Sequence, residues 1–381
     1  MKIAQVLTRY YPAIGGVEDY VKRISEGIAG SGQEVNVFTF NNLDFSHKKR
    51  TAKNYELINN VKVRRYSVMP VNFKGYYVSP RLLAGLFKER IDLVHGHSFM
   101  FFSADASLLL ARIKRLPFVF NPYFVISGNP SFLGSLYRKV IGALMTKADR
   151  VIAISDFEKN LIIRLGFGGS NIEVIPPGID TQEFDNAAGG DIFGEYRLNG
   201  KKKILFVGRL SKTKNIEVLI NAMPLVLRDY PEAALILAGP DFGARDSLEK
   251  LARDKSVEKS VFFMGELERD KLIRVYKNSD IFIFPGISEA FGIVMIEAMA
   301  ANLPVIAADA CAAQEIISEG ESGYLFKPHD ERGLSQKIIK LLKNKRLAME
   351  FGTNARKYVS ENYHISKAVR KISDIYLSLN N

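Results

Sequence analysis

Short unbroken apolar runs alternate with stretches whose apolar residues recur every three to four positions, and this rhythm governs the whole chain. Residues 3–7 form an apolar run that predicts a buried strand. Val17, Tyr20, Val21, Ile24 and Ile28 then follow the i, i+3, i+4, i+7 spacing of an amphipathic helix. Strands are predicted over 34–40 and 61–66, over 92–97 and 117–121 with a helix over 101–114 between them, and over 151–155. Ser155 or Asp156 would cap the next helix. The run 172–175 stops at Pro176-Pro177-Gly178.

Residues 181–200, small and polar with several glycines, are expected to form a linker. Beyond them the rhythm restarts, with strands predicted over 203–207, 234–238, 261–264, 281–284 and 304–308, helices between them, and three helical stretches over 330–379. Continuous apolar strands separated by helices imply parallel sheets covered on both faces. Two such blocks predict an α/β protein of two Rossmann-like domains, 1–180 and 201–364, facing across a cleft.

Composition narrows the picture. A chain of 381 residues can bury a large core without staples, and its single cysteine, Cys311, rules out an internal disulfide and a cysteine-rich zinc site. No apolar run is long enough to span a bilayer, and the first residues turn polar too soon for a signal peptide, so a cytoplasmic protein is expected. The net charge of +12 is uneven: residues 1–180 hold 24 Lys and Arg against 14 Asp and Glu, and the remainder hold 29 against 27. A basic first half suits an anionic membrane surface, with Lys48, Lys49, Arg50, Lys62, Arg64, Arg65, Arg112, Lys114, Arg115 and the stretch 132–150 as candidates. A dispersed, solvated face is the competing reading. No nucleic-acid module accompanies the basic charge, and no nucleic-acid partner is expected.

Three stretches carry candidate chemistry. After the first strand comes Tyr10-Tyr11-Pro12-Ala13-Ile14-Gly15-Gly16-Val17-Glu18, whose paired glycines let backbone amides approach an anion at a helix start. In the second half, Gly208-Arg209-Leu210 closes a strand and Lys214 follows, a planar fork and a mobile point charge suited to a diphosphate. The third stretch runs from Pro285 to Ala300. Its helix, predicted over 292–301, is apolar on every face except at Glu297, so something polar should meet that carboxylate: a ligand hydroxyl, an arginine or a backbone amide. Glu289 precedes it in the loop, and the amides of Phe291, Gly292 and Ile293 would start the helix unpaired. His95 and His97 share one face of a strand end, where a polar cleft lining is expected rather than a metal site. No D-x-D pair, nucleophile elbow, Walker loop or zinc spacing occurs.

These motifs, in this order, resemble glycosyltransferase family 4: Y-Y-P-x-x-G-G-x-E, D-L-V-H-G-H at 92–97, V-I-P-P-G-I-D at 174–180, G-R-L-x-x-x-K-N, Glu289-x7-Glu297, E-A-M-A, P-V-I-A, and Gly323-Tyr324-Leu325. The likeness spans about residues 3–330. It implies the GT-B fold, with a last helix, about 365–381, returning to the acceptor-side first domain. It also implies a retaining, metal-independent transfer of a hexose from a UDP-, GDP- or ADP-sugar to a lipid-linked or cell-surface polysaccharide acceptor, peripheral on the inner face of the membrane. By the resemblance, Arg209 and Lys214 neutralise the diphosphate beside Gly208, and Glu289 meets the donor sugar. Glu297 binds the ribose, Phe291, Gly292 and Ile293 cover the diphosphate, and Gly15 and Gly16 approach the donor. His97 and Tyr123 fall on the acceptor side.

The sequence departs from the family pattern in places. Tyr123 follows Asn121-Pro122 where the family often carries His, Gly286 stands for Ser, Ala290 for Gly, and Ala310-Cys311-Ala312-Ala313 for a Gly-Gly turn. The competing functional reading is a non-catalytic GT-B subunit that binds a sugar nucleotide or partners an active homologue.

Overall fold

In the computed structural model, the described residues are 1–44, 49–69, 72–73, 76–124, 142, 145–166, 171–187, 190, 192–196 and 198–380. The chain divides into two units, one of residues 1–178 with 365–381, the other of residues 179–364.

The first unit holds strands β1 (Lys2–Val6), β2 (Glu34–Phe40), β3 (Tyr55–Ile58), β4 (Val61–Tyr66), β5 (Asn72–Phe73), β6 (Tyr76–Tyr77), β7 (Leu93–His97), β8 (Phe118–Asn121), β9 (Arg150–Ala153) and β10 (Ile172–Val174). Eight of them form one sheet in the order β10-β9-β8-β7-β1-β2-β4-β3, parallel throughout except for the hairpin partner β3. β1, β7 and β8 are buried almost along their whole length, as strands covered on both faces must be. The helix Gly16–Gly30 buries Tyr20, Val21, Ile24 and Ile28, the stripe its spacing predicts. Helix Asp156–Arg164 starts on Ser155, whose hydroxyl accepts from the Glu158 amide, so of the two candidate caps Ser155 serves.

The second unit holds β11 (Lys202–Val207), β12 (Ala233–Ala238), β13 (Val261–Gly265), β14 (Ile281–Phe284), β15 (Val305–Ala308) and β16 (Gly323–Phe326). They form an all-parallel sheet in the order β13-β12-β11-β14-β15-β16, the doubly wound 3-2-1-4-5-6 arrangement.

One expectation is revised. The stretch 181–200 is not a linker: it opens with the helix Thr181–Asn186, carries a 3-10 turn at Gly194–Tyr196 and belongs to the second unit. Asp180 caps that helix by accepting from the Gln182 amide, and Thr181 and Phe184 are buried, so a polar-looking segment is packed. The strands β3 and β16 and the helix Pro80–Lys88 were not anticipated, since each is short or lacks a clean period. The last helix, Ile365–Leu379, groups with the first unit and packs on the helix Gly16–Gly30.

Candidate active site

Ligands of open parallel sheets sit beyond the carboxyl ends of the strands, where the strand order reverses. In the second unit that point lies between β11 and β14. β11 hands over to Gly208, whose amide donates to the Ala238 carbonyl at 2.9 Å. Gly239 beside it has φ 143°, and a Cβ there would lie 2.0 Å from the Gly208 carbonyl oxygen, so the two loops approach this closely only because residue 239 is glycine. Leu210 and Phe242 exchange the next contacts, through Leu210 N to Pro240 O and Phe242 N to Leu210 O, both 2.9 Å. The Arg209 guanidinium rests over the Phe242 ring at 5.2 Å.

A 3-10 turn, Lys212–Lys214, follows and ends on Asn215 in the left-handed region, φ 52°. Asn215 Nδ2 donates to the Pro285 carbonyl at 3.3 Å, which fastens this turn to the loop after β14. Lys214 Nζ forms an ion pair with the Glu289 carboxylate of that loop. Burial, and then the neighbouring Arg209 charge, push Lys214 down to about 7.

The loop ends at Gly292, φ 90°, where a Cβ would press to 2.9 Å against both Met295 and Phe284. No side chain caps the helix Ile293–Ala300 that begins there. Its first amides and the positive end of its dipole thus point out of the same loop cluster that holds Lys214. Phe291 is buried edge-on to Tyr363, with centroids 5.5 Å apart. An uncapped helix start beside one lysine and one arginine can hold a phosphate-bearing ligand and stabilise charge on its departure.

Glu297, one turn into that helix, is 5% exposed. Of the partners the sequence left open, arginine is the one found: Arg269 Nη1 donates to Oε1, and the Tyr276 hydroxyl donates to Oε2 at 3.0 Å. Its burial therefore requires no ligand hydroxyl.

The reversal point of the first unit lies between β1 and β7. Its polar residues form a directional chain. Asn121 Nδ2 donates to the Ile152 carbonyl at 2.9 Å, so its Oδ1 accepts, and His95 Nε2 is the donor at 2.6 Å. His95 Nδ1 then accepts from the Tyr376 hydroxyl at 2.6 Å, and Tyr376 accepts from Gln5 Nε2 at 2.9 Å. Gln5 Oε1 accepts from His97 Nε2 at 2.6 Å, and His97 Nδ1 accepts from the Tyr123 hydroxyl at 2.9 Å. Each group gives or takes what its neighbour needs with both histidines neutral. Burial holds His95 down to about 3 and His97 well below its ordinary value.

The expected cleft lining is therefore corrected for His97, which is fully buried with both ring nitrogens engaged. Neither histidine offers a lone pair to a metal, and no metal-holding cluster occurs among the described residues. Tyr123 is partly exposed and left-handed, φ 52°. Nearby, buried Glu158 accepts from the amides of Phe124 at 2.6 Å and Ile154 at 2.7 Å, and burial pushes it up to about 7.

Of the site residues anticipated from sequence, Gly208, Arg209, Lys214, Glu289, Phe291, Gly292, Ile293 and Glu297 gather in the second unit. Gly15, Gly16, His97 and Tyr123 lie in the first. Gly15 precedes the helix Gly16–Gly30, and a Cβ on it would fall 2.1 Å from a carboxylate oxygen of Glu18, which is buried in an ion pair with Arg9. The basic face is partly consumed internally: Lys62 binds Glu34, Arg64 binds Glu89, and Arg65 is buried on Glu56. Lys114 donates to the Phe87 and Glu89 carbonyls, while Arg50, Arg112 and Arg115 are exposed. Lys48, 132–141, 143 and 144 lie outside the described residues. No helix among the described residues is long and apolar enough to cross a membrane.

Sequence reasoning missed Arg269, Tyr276 and Glu183 around Glu297, and Gln5, Asn121 and Tyr376 around the histidines. The signal for the second set is Gln5 itself, a lone amide inside an apolar strand that must find partners.

Comparison with known proteins identifies the family. The model of the glycosyl transferases group 1 matches residues 191–358, and that of glycosyltransferase family 4 matches residues 14–183. An uncharacterized glycosyltransferase, MJ1607 of Methanocaldococcus jannaschii, is 30% identical over 99% of this chain and 98% of its own. A D-inositol 3-phosphate glycosyltransferase of Corynebacterium kroppenstedtii is 26% identical over 95% of this chain and 85% of its own. Among solved structures, a sucrose-phosphate synthase from Thermosynechococcus elongatus superposes with a TM-score of 0.81 at 22% identity, covering 99% of this chain and 98% of its own. HepE from Anabaena, solved with UDP and glucose, gives 0.80 at 22% identity over the whole of both chains. The doubly wound sheets, the loop cluster at β11 and β14 and these likenesses converge: the chain belongs to the group 1 glycosyltransferases, enzymes of the GT-B fold.

Proposed function

We propose that the protein moves a hexose from a nucleoside-diphosphate sugar to a lipid-linked or polysaccharide acceptor, retaining anomeric configuration and using no metal. The observation that carries this reading is the grouping of Arg209, Lys214 and the uncapped start of the helix Ile293–Ala300 at one strand-order reversal. Breaking the sugar–phosphate bond leaves an oxocarbenium-like sugar and a diphosphate. Fixed cations and helix amides stabilise that departing charge without reorganisation. Glu289 is engaged with Lys214, which suits a positioning role toward the donor sugar better than nucleophilic attack.

The donor reading is in keeping with a solved relative in fold, HepE, being bound to UDP-glucose. The acceptor reading is supported by relatives named for phosphorylated or lipid acceptors, the D-inositol 3-phosphate glycosyltransferases and the phosphatidylinositol N-acetylglucosaminyltransferase subunit of Saccharomyces cerevisiae.

The test is turnover of UDP-, GDP- and ADP-sugars with product anomers assigned by NMR, with and without EDTA. Retained configuration and EDTA-insensitive turnover are expected; inverted product or loss of activity in EDTA overturns the mechanism. A donor that binds without turnover on any acceptor selects the non-catalytic subunit instead. The membrane association expected from the basic first unit is tested by sedimentation with anionic and neutral vesicles, equal binding to both removing it.

A further inference from the structure

Glu297 is held at both carboxylate oxygens from a single helix. Arg269, the first residue of the helix Arg269–Lys277, and Tyr276, two turns later on that helix, take one carboxylate oxygen each. Arg269 is itself clamped: its Nε and Nη2 donate to Glu183 Oε1 and Oε2 at 2.8 and 2.9 Å, and its guanidinium lies over the Phe184 ring at 5.4 Å. Glu183 belongs to the helix Thr181–Asn186, within the stretch that reads as a linker in sequence.

One cation is thus shared by two carboxylates, and each Glu297 oxygen, taken by one donor, keeps a lone pair that a further hydroxyl can use. Glu297 lies four residues past Ile293, one helical turn of about 5.4 Å beyond the uncapped amides. That is the spacing between a bound phosphate and the sugar of its own nucleoside.

We propose that Arg269 is a positioning residue for nucleotide recognition, holding Glu297 in the orientation that accepts the ribose hydroxyls, with Glu183 in turn holding Arg269. The inference rests on the donor reading above. A merely structural Arg269 would change stability; a positioning Arg269 changes how the protein tells ribose from deoxyribose.

The experiment is calorimetric titration of the full chain with UDP, GDP and ADP and their 2′- and 3′-deoxy counterparts. The wild type is expected to bind a deoxy analogue roughly 10- to 100-fold more weakly, the value of a hydrogen bond to a charged acceptor. In Arg269→Ala the ribonucleotide weakens toward its deoxy analogue, so the ratio falls to near one, and Arg269→Lys, lacking the fork, recovers little of it. Glu183→Gln, a change at a partly exposed residue remote in sequence from the loops, should lower the ratio about threefold with melting unchanged, and it carries the test if Arg269→Ala fails to fold. An unaltered ratio in folded Arg269→Ala or, failing that, in Glu183→Gln overturns the proposal. So does a wild type that binds nucleotides without discriminating, while leaving the donor reading intact. A wild type that binds none of the nucleotides overturns the donor reading, and this proposal with it.

Discussion

The two units share a sheet design and use its reversal point in opposite ways. Between β1 and β7, the first unit closes Gln5, His95, His97, Asn121, Tyr123 and Tyr376 into a neutral chain in which donors and acceptors are matched. Between β11 and β14, the second gathers Arg209, Lys214 and Glu289 around a helix start that no side chain caps. The first arrangement consumes its polarity in holding strands and the last helix together. The second concentrates positive charge that burial makes expensive, visible in the lowered pKa of Lys214. The same topology thus supports a neutral polar core in one unit and a cluster of charged groups in the other, and what separates them is whether the residues at the reversal point are ionised.

The largest effect should come from breaking the charged side. Lys214→Ala and Arg209→Ala are each expected to cost about 2–4 kcal/mol in transfer rate, as loss of an oxyanion donor does. Near-normal turnover in both would remove the contrast between the two units. On the neutral side, Tyr376→Phe deprives His95 Nδ1 of its donor and the Gln5 amide of its acceptor. It should destabilise the protein by about 1–3 kcal/mol in urea melts while nucleotide affinity stays as in the wild type.

Acid sharpens the comparison further. The unfolded histidines take up protons below about 6.5 while buried His95 resists to about 3 and buried His97 resists as well, so both lower stability as pH falls. Glu158 opposes them: raised to about 7, it is protonated in the folded state first and adds stability down to its unfolded value near 4.5. Two histidines that lose stability against one carboxylate that gains it predict a fall in stability as pH drops from 6.5 toward 4.5, measurable by urea titration at fixed pH. Stability that is flat across this window would mean that the histidines are not buried neutral. The smallest effect concerns Lys214. With its pKa near 7, Lys214 is raised by an arriving diphosphate, so binding above pH 7 should take up a fraction of a proton and weaken as pH rises. Calorimetry in buffers of different ionisation enthalpy reads that uptake, and none at pH 8 would place the diphosphate elsewhere.

Local pattern carried much of this. The spacing of Val17, Tyr20, Val21, Ile24 and Ile28 gives the buried stripe of its helix, and the apolar run before Gly208 suffices to place Arg209 just past the carboxyl end of a strand. The unlabelled remainder is non-local. Arg269 and Glu183 are ordinary surface-type residues in sequence and acquire meaning only when two helices bring them to Glu297. The stretch 181–200 misleads because caps and small residues look the same whether a segment links or packs, and Phe184 buries it. His97 misleads differently: strand alternation gives its face but not the tyrosine and glutamine that close over it.

Tyr376 adds a matter of timing. The first unit's polar chain passes through a residue of the last helix, so that unit is discontinuous in sequence whereas residues 179–364 are not. On a ribosome the second unit has all its residues before the first does. Until Tyr376 emerges, Gln5 and His95 face an unfilled place in their own core. The nascent first unit is therefore an open sheet awaiting its final helix, and a chain ending at His364 would leave it permanently so.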